Sequence, residues 1–258
     1  MIEIYKKLPG TNCGKCGLSS CMAFALKVKK SQASLNECPS MTGETVTGGQ
    51  EPSGASSFSS YEEVSQELEK KAVMVDFKGT AELIGGMYEA VDGKEAIIVK
   101  MISTVYELRK EGLFQDNAPC GDLWAKIIIC DYVRRNGRSP LTGELLPLGL
   151  FPHSASLVRA FQSSAEKQIA VGFKRDLKGL KQRCVALGGR ETEGKVKADY
   201  VSCFDLLPHV PLYLSFWVAD EEFDAECKLL FDRSAAEHIN IEYLAYLMER
   251  FAGELAAG

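Results

Sequence analysis

Four cysteines fall in the first 38 residues, at Cys13, Cys16, Cys21 and Cys38, with the spacing C-x2-C-x4-C-x16-C-P. The thiolate is the form of cysteine that binds metal, and clustered thiols in a reducing compartment read first as metal ligands. Three of the four lie within nine residues, so one turning stretch of backbone brings three sulfurs onto one face of a cuboidal cluster. The fourth arrives from the far end of an intervening element. This set fits one [4Fe–4S] cluster. Three other readings compete with it. Structural zinc prefers two close pairs of ligands, and here there is one pair, a nearby third cysteine and a distant fourth. A pair of disulfides requires an oxidising compartment. A site that binds nothing sits poorly with so compact a set of thiols.

The elements around the cysteines suit the task. Ser20 to Lys30 is a good helix former with Ala23, Phe24, Leu26 and Val28 as apolar positions. Cys21 then sits in the first turn, where free N–H groups and the positive end of the dipole favour an anionic ligand set. Four thiolates on an oxidised cluster leave a net charge of about −2, and Lys15, Lys27, Lys29 and Lys30 lie close enough in sequence to offset part of it. Gly14 and Gly17 follow their cysteines directly, where tight turns and open N–H groups are useful. Pro39 after Cys38 gives the Cys-Pro ending found in bacterial ferredoxin runs.

The whole chain has 258 residues, 46% of them hydrophobic and 25% charged, with a formal charge of −5. The length suits a small domain plus a larger one. The acidic balance argues against nucleic acid as the main partner. No run of 18 apolar residues occurs and the N-terminus lacks the apolar stretch of a signal peptide, so a cytoplasmic protein without membrane insertion is expected. Residues 1–41 form the cysteine-bearing module. Residues 42–60, TGETVTGGQEPSGASSFSS, read as a flexible linker by composition. Residues 61–258 form the main body.

Within the body, Tyr61 to Ala72 has helical periodicity behind Ser60 as N-cap. Val73 to Phe77 is a short strand candidate. Leu83 to Val91 and Glu95 to Ile102 flank Asp92-Gly93, a hairpin signal. Asp122 to Arg135 carries Leu123, Ile127, Ile128 and Tyr132 at helical spacing. Asn136 to Phe151 reads as loop. Ala155 to Leu187 reads as helix broken near Gly172 and stopped by Gly188 and Gly189. Lys195 to Phe204, Leu212 to Trp217 and Glu226 to Phe231 read as strands, and Ala235 to Phe251 as a final amphipathic helix capped by Ser234. The expected fold is α+β: a small cysteine-ligated iron–sulfur module, a flexible linker, and a mixed domain with a mainly antiparallel sheet.

The body shows no dinucleotide fingerprint, phosphate loop, zinc-protease helix or nucleophile elbow. Asp220, Glu221, Glu222, Asp224 and Glu226 crowd into seven residues. They are read as a solvated turn between strands rather than a cation or acid–base site, because the Gly and alternation of a calcium loop are missing. His209, between Pro208 and Pro211, is expected on a surface loop rather than as an axial metal ligand or proton carrier, and His238 is expected to pack or cap locally in the last helix. Cys120 precedes a helix start that would stabilise its thiolate. Cys130, Cys184, Cys203 and Cys227 read as buried small hydrophobes.

The string LPGTNCGKCGLSSCMAFALKVKKSQASLNECPS resembles a small iron–sulfur domain. It is found in the large subunit of the corrinoid iron–sulfur protein of one-carbon metabolism and in ferredoxin-oxidising electron-transport complexes. The resemblance implies a [4Fe–4S] cluster on Cys13, Cys16, Cys21 and Cys38. Ser20 stands where relatives often carry Pro before the third cysteine. FDLLPHVPLYLSFWVADEEF and LLFDRSAAEHINIE resemble a domain of uncharacterised function common in anaerobes, for which no catalytic residues can be carried over. Together these imply a redox accessory protein. It would take electrons from a ferredoxin-like donor and pass them to a metal centre on a protein partner, a corrinoid protein included. An enzyme with an unidentified active site in residues 61–258, and a protein with a purely structural cluster, are the alternatives.

Overall fold

The computed structural model describes residues 7–8, 16, 24–25, 27–28, 33–38, 54–154, 157–193 and 197–257. The chain divides into two compact units, Met1–Val64 and Ser65–Gly258. In the first unit Phe24, Ala25, Lys27 and Val28 are helical, as the sequence predicts, and a single 3-10 turn follows at Leu35–Glu37. Residues 42–53 of the expected linker lie outside the described residues. Helix α1, Gly54–Ala72, begins seven residues before the expected start at Tyr61. Once a helix is nucleated each added residue gains a hydrogen bond, so a nucleus over the Glu- and Lys-rich segment propagates back through serine and alanine, with Pro52 just ahead of it.

Asp76 caps α2, Phe77–Leu83, by accepting from the N–H of Gly79. The strand expected at Val73 to Phe77 is therefore a turn entering a helix; an N-cap carboxylate outweighs the strand propensity of two valines. Five strands follow as a meander: β1 (Met87–Val91), β2 (Lys94–Met101), β3 (Thr104–Arg109), β4 (Gly112–Gln115) and β5 (Ala118–Pro119), antiparallel in the order β1-β2-β3-β4-β5. The first hairpin turns at Asp92 (φ 52°) and Gly93 (φ 75°), two left-handed residues as a two-residue hairpin demands.

Helix α3, Leu123–Arg135, starts at Asp122, whose carboxylate accepts from the N–H groups of Trp124 and Ala125. Its residues from Ile127 to Val133 are all buried, so this helix runs through the core rather than along its surface. The segment predicted as loop holds a three-residue strand, β6 (Leu145–Pro147), at the edge of the second sheet. Too short and too rich in Pro and Gly to show a period, it exists because the strand segment Leu230–Asp232 offers it an edge. A π-helical turn, Val158–Gln162, leads into α4 (Ser163–Phe173), and α5 (Leu177–Ala186) follows. The break between them comes at Lys174 to Asp176, close to the expected position. Asp176 caps α5 through the N–H of Gly179.

The second sheet has the order β6-β10-β9-β8-β7, with β7 (Arg190–Glu191), β8 (Tyr200–Leu207), β9 (Val210–Trp217) and β10 (Glu226–Asp232). Every pairing in both sheets is antiparallel. Strands β8 and β9 are buried along nearly their whole length, which matches their largely apolar sequences, interrupted only by Ser202, Asp205 and Ser215. The two sheets meet where the Ile102 N–H donates to Leu206 O (2.9 Å). The final helix arrives in two pieces, α6 (Ala235–His238) and α7 (Ile241–Ala256), because Asn240 breaks the run and caps α7 through the N–H of Glu242.

Candidate metal centre

The described part of the first unit has a small apolar core of Leu8, Phe24, Ala25 and Cys38, against which Cys16, Val28, Ala33 and Leu35 pack. Cys38 is buried and Cys16 is half-buried. Local hydrogen bonds fix Cys38. Ser34 N–H donates to Glu37 Oε1 (2.8 Å), Glu37 N–H donates to Ser34 O (3.0 Å), and Cys38 N–H closes the turn on Leu35 O (3.2 Å). Thus Phe24 and Val28, two of the apolar positions named for the predicted helix, serve together with Ala25 as the surface against which both Cys16 and Cys38 pack. Cys13 and Cys21 lie outside the described residues, as do Lys15, Lys29 and Lys30; Lys27 is exposed. Among the described residues no three His, Cys, Asp or Glu side chains gather closely enough to hold a metal ion. The residues present suit a sulfur-ligated cluster: two free thiols belong to one apolar cluster, with no carboxylate or imidazole in it.

The other five cysteines are buried in the second unit. Burial pushes the thiols of Cys130 and Cys227 well up and that of Cys184 up to about 12. Cys120 follows the same rule. Burial raises its pKa, although its Sγ lies 3.8 Å from Asp122 O. The expectation of a stabilised thiolate there fails chiefly because burial disfavours the charged form, and the Asp122 carboxylate at the helix N-terminus adds to the effect. Asp220–Glu226 forms the exposed β9–β10 turn: the Asp220 carboxylate accepts from the N–H groups of Phe223 and Glu222, and its pKa is lowered by those bonds. No cation site is needed to explain it.

Two features of the second unit are invisible in sequence. His209 is half-buried and stacks on buried His238, with ring centroids 5.4 Å apart and planes 18° apart. His238 Nε2 lies 3.0 Å from Ser139 O, and its Nδ1 has no hydrogen-bond partner. Tyr132 Oη accepts from the His209 N–H and donates to Ile84 O (2.7 Å), so the β8–β9 turn, α3 and the end of α2 are tied at one point. Elsewhere Arg250 on α7 reaches Asp122 Oδ2 (2.6 Å), Glu254 Oε1 (3.0 Å) and the Tyr106 hydroxyl (3.3 Å). Both are long-range groupings of residues that have no motif in common.

Residues 76–254 match the family described as a domain of unknown function, DUF3786. The chain belongs to that family. Ahead of the DUF3786 domain, residues 8–40 match the family model described as "Putative Fe-S cluster", and this match includes all four N-terminal cysteines. Among curated proteins, the acetyl-CoA decarbonylase/synthase complex subunit gamma of Methanocaldococcus jannaschii is 55% identical over 38 residues, 15% of this chain and 8% of that protein. The corrinoid/iron-sulfur protein large subunit of Moorella thermoacetica is 53% identical over 38 residues, again 15% of this chain and 8% of that protein. The subunit gamma of Methanothermobacter thermautotrophicus is 46% identical over 43 residues, 17% of this chain and 9% of its own length. The chain thus spans about a tenth of the length of the curated relatives it matches. No solved structure matches it. Among the described residues no helix is long and apolar enough to cross a membrane.

Proposed function

We propose that residues 1–41 hold one [4Fe–4S] cluster on Cys13, Cys16, Cys21 and Cys38. In this reading the protein is a redox accessory that passes low-potential electrons to a metal centre on a partner. The observation that carries the proposal is the packing of Cys16 against the apolar cluster that contains Cys38, two cysteines far apart in sequence. The family model over residues 8–40 and the names of the relatives support it. When bound, the cluster would supply a one-electron couple tuned by burial and by hydrogen bonds to its sulfurs. Leu8, Phe24 and Ala25 keep water from the Cys38 side. The stretch between the module and helix α1, residues 42–53, acts as a tether, and the body that follows is the part that docks. A ferredoxin-like protein is the donor, and a corrinoid protein is a fitting acceptor.

Lys15, Lys27, Lys29 and Lys30 give the module a local positive field within an acidic chain, which steers an acidic donor. The test is stopped-flow reduction of anaerobically purified protein by a low-potential ferredoxin across an ionic-strength series. Lys15→Glu with Lys29→Glu is expected to slow reduction about tenfold at low salt and less as salt screens the field. Wild-type kinetics in that double variant would refute the docking surface.

A further inference from the structure

Four segments meet at the stacked pair of His209 and His238. His209 is the second residue of the two-residue turn between β8 and β9, which the pairing of Leu207 with Val210 closes. His238 ends α6 and is 1% exposed. Asn136 and Gly137 follow α3, and Ile84 and Gly85 follow α2. The backbone is drawn tightly around both rings. A Cβ added at Gly85, where φ is 71°, would lie 2.9 Å from His209 Nε2, and one added at Gly137 would collide with His238 Nδ1. The His209 N–H donates to the Tyr132 hydroxyl (3.1 Å), which donates in turn to Ile84 O (2.7 Å).

This packing leaves His238 no place for a second proton. Ser139 O can only accept, so the Nε2 that faces it at 3.0 Å carries the hydrogen, and the neutral ring has a bare Nδ1. That nitrogen is buried against Gly137, and among the described residues it has no hydrogen-bond partner. A proton there would make a buried cation with no acceptor. The charged and titratable groups around the ring do not offset this. Burial is the largest influence and opposes the cation, and His209 opposes it from the β8–β9 turn. Glu237 of α6 and Asp232 of β10 favour it more weakly, and the Asp232 carboxylate is already engaged by Thr142, Gly143 and Ser234. Tyr132 of α3 is kept neutral by its own burial, and Ile84 and Gly85 bring no charge.

We propose that the stacked pair is an acid-operated latch: protonation of His238 unstacks the rings and frees the β8–β9 turn from Tyr132, while both sheets stay folded. His209 is the ring that moves. It is half-buried on a two-residue turn, whereas His238 is fully packed at the end of a helix. Once His209 leaves, water reaches Nδ1 and solvates the charge, so the open form binds the proton more tightly than the closed form and acid populates it. The sign follows from the closed site. Burial lowers the His238 pKa from 6.5, so the latch is shut above pH 6.5 and loses its advantage as pH falls below it, by at most about tenfold per pH unit for one proton. Opening breaks the bond from the His209 N–H to Tyr132 and leaves the pairing of β8 with β9 in place.

The test is amide hydrogen exchange of the full-length protein by NMR from pH 7.5 to 5, corrected for the pH dependence of intrinsic exchange. The ring nitrogens of His238 are followed in the same samples. Protection of the His209 amide is expected to fall about tenfold or more between pH 7 and 5.5, in step with the titration of His238. The Ile102 amide, bonded to Leu206 O, should keep its protection over the same range. In His238→Phe, which keeps an aromatic ring in the stack and removes the proton site, His209 protection should no longer depend on pH. The wild-type measurement stands whether or not that variant folds. A His209 amide that stays protected while His238 titrates, equal loss of protection at Ile102, or an acid response that persists in a folded His238→Phe would each overturn the proposal.

Discussion

Asp232 shows how a single buried group can be held by its surroundings. Its side chain is nearly inaccessible and accepts from Thr142 N (3.0 Å), Thr142 Oγ1 (3.0 Å), Gly143 N (2.7 Å), Ser234 N (2.9 Å) and Ser234 Oγ (2.7 Å). Burial pushes its pKa up, but the bonds from Thr142, Ser234 and Gly143 together outweigh burial and hold the carboxyl at about 2. His238 moves the other way: burial and the facing His209 lower its pKa from 6.5 against the opposing effect of Ser139 O. Both groups make the fold sensitive to acid, in separate windows. A depressed carboxyl stabilises above its unfolded pKa of 3.8, and that contribution is lost as pH falls through about 2. A depressed imidazole favours the fold above 6.5, and that advantage falls as pH drops below it, because the unfolded chain takes the proton more readily. Melting temperature measured across pH is expected to fall first below about pH 6.5 and again below about pH 4. In His238→Phe the first loss should shrink, and in Asp232→Asn the second. The Asn variant should also cost about 3 kcal/mol at neutral pH, since an amide N–H₂ would face N–H donors. A curve for His238→Phe parallel to wild type from pH 7 to 5 would show that the stacked pair does not control that limb. None of this was legible in sequence. Packing was expected of His238, but its stacking on His209 and the cradle around Asp232 form only when the fold brings distant residues against them. For the N-terminal cysteines, spacing alone carries the proposal of a shared ligand set, and the structure describes only Cys16 and Cys38 of the four.

At the scale of elements, the parts legible in sequence were those with a local cause. The Asp92-Gly93 hairpin, the helix from Asp122 to Arg135 and the strands β8 and β9 stand close to where expected. Elements created by their neighbours were missed. The sequence reading holds no strand between Ile102 and Asp122, where β3, β4 and β5 lie. The alternation of Tyr106 and Leu108 inward with Val105, Glu107 and Arg109 outward was the available signal. β6 had none. Joining such elements takes specific long-range ties, and Arg250 is one, linking α7 to the start of α3 and to β3. Its side chain and that of Asp122 are 26% and 38% exposed, so water screens the pair. Arg250→Ala is expected to cost about 1–2 kcal/mol by urea unfolding, with a coupling of about 1 kcal/mol to Asp122→Asn in a double-mutant cycle. Additive effects of the two substitutions would mean that Arg250 acts through packing alone.

For the whole molecule, the account is one of division of labour. The DUF3786 body, with its two antiparallel sheets and buried helix α3, is large enough to hold its own core. Residues 8–40 match a separate family and gather Cys16 and Cys38 around apolar residues of their own. The body cysteines need not compete for one cluster, because among the described residues no three His, Cys, Asp or Glu side chains gather closely enough to hold a metal ion. Everything proposed for function depends on what the N-terminal four hold. The direct measurement is iron, acid-labile sulfide and zinc content of the anaerobically purified chain, alongside Cys38→Ser and Cys203→Ser. The account predicts a brown protein with about four irons and four sulfides per chain, a sharp loss of both in Cys38→Ser, and no loss in Cys203→Ser. A colourless protein carrying one zinc and no sulfide would contradict it.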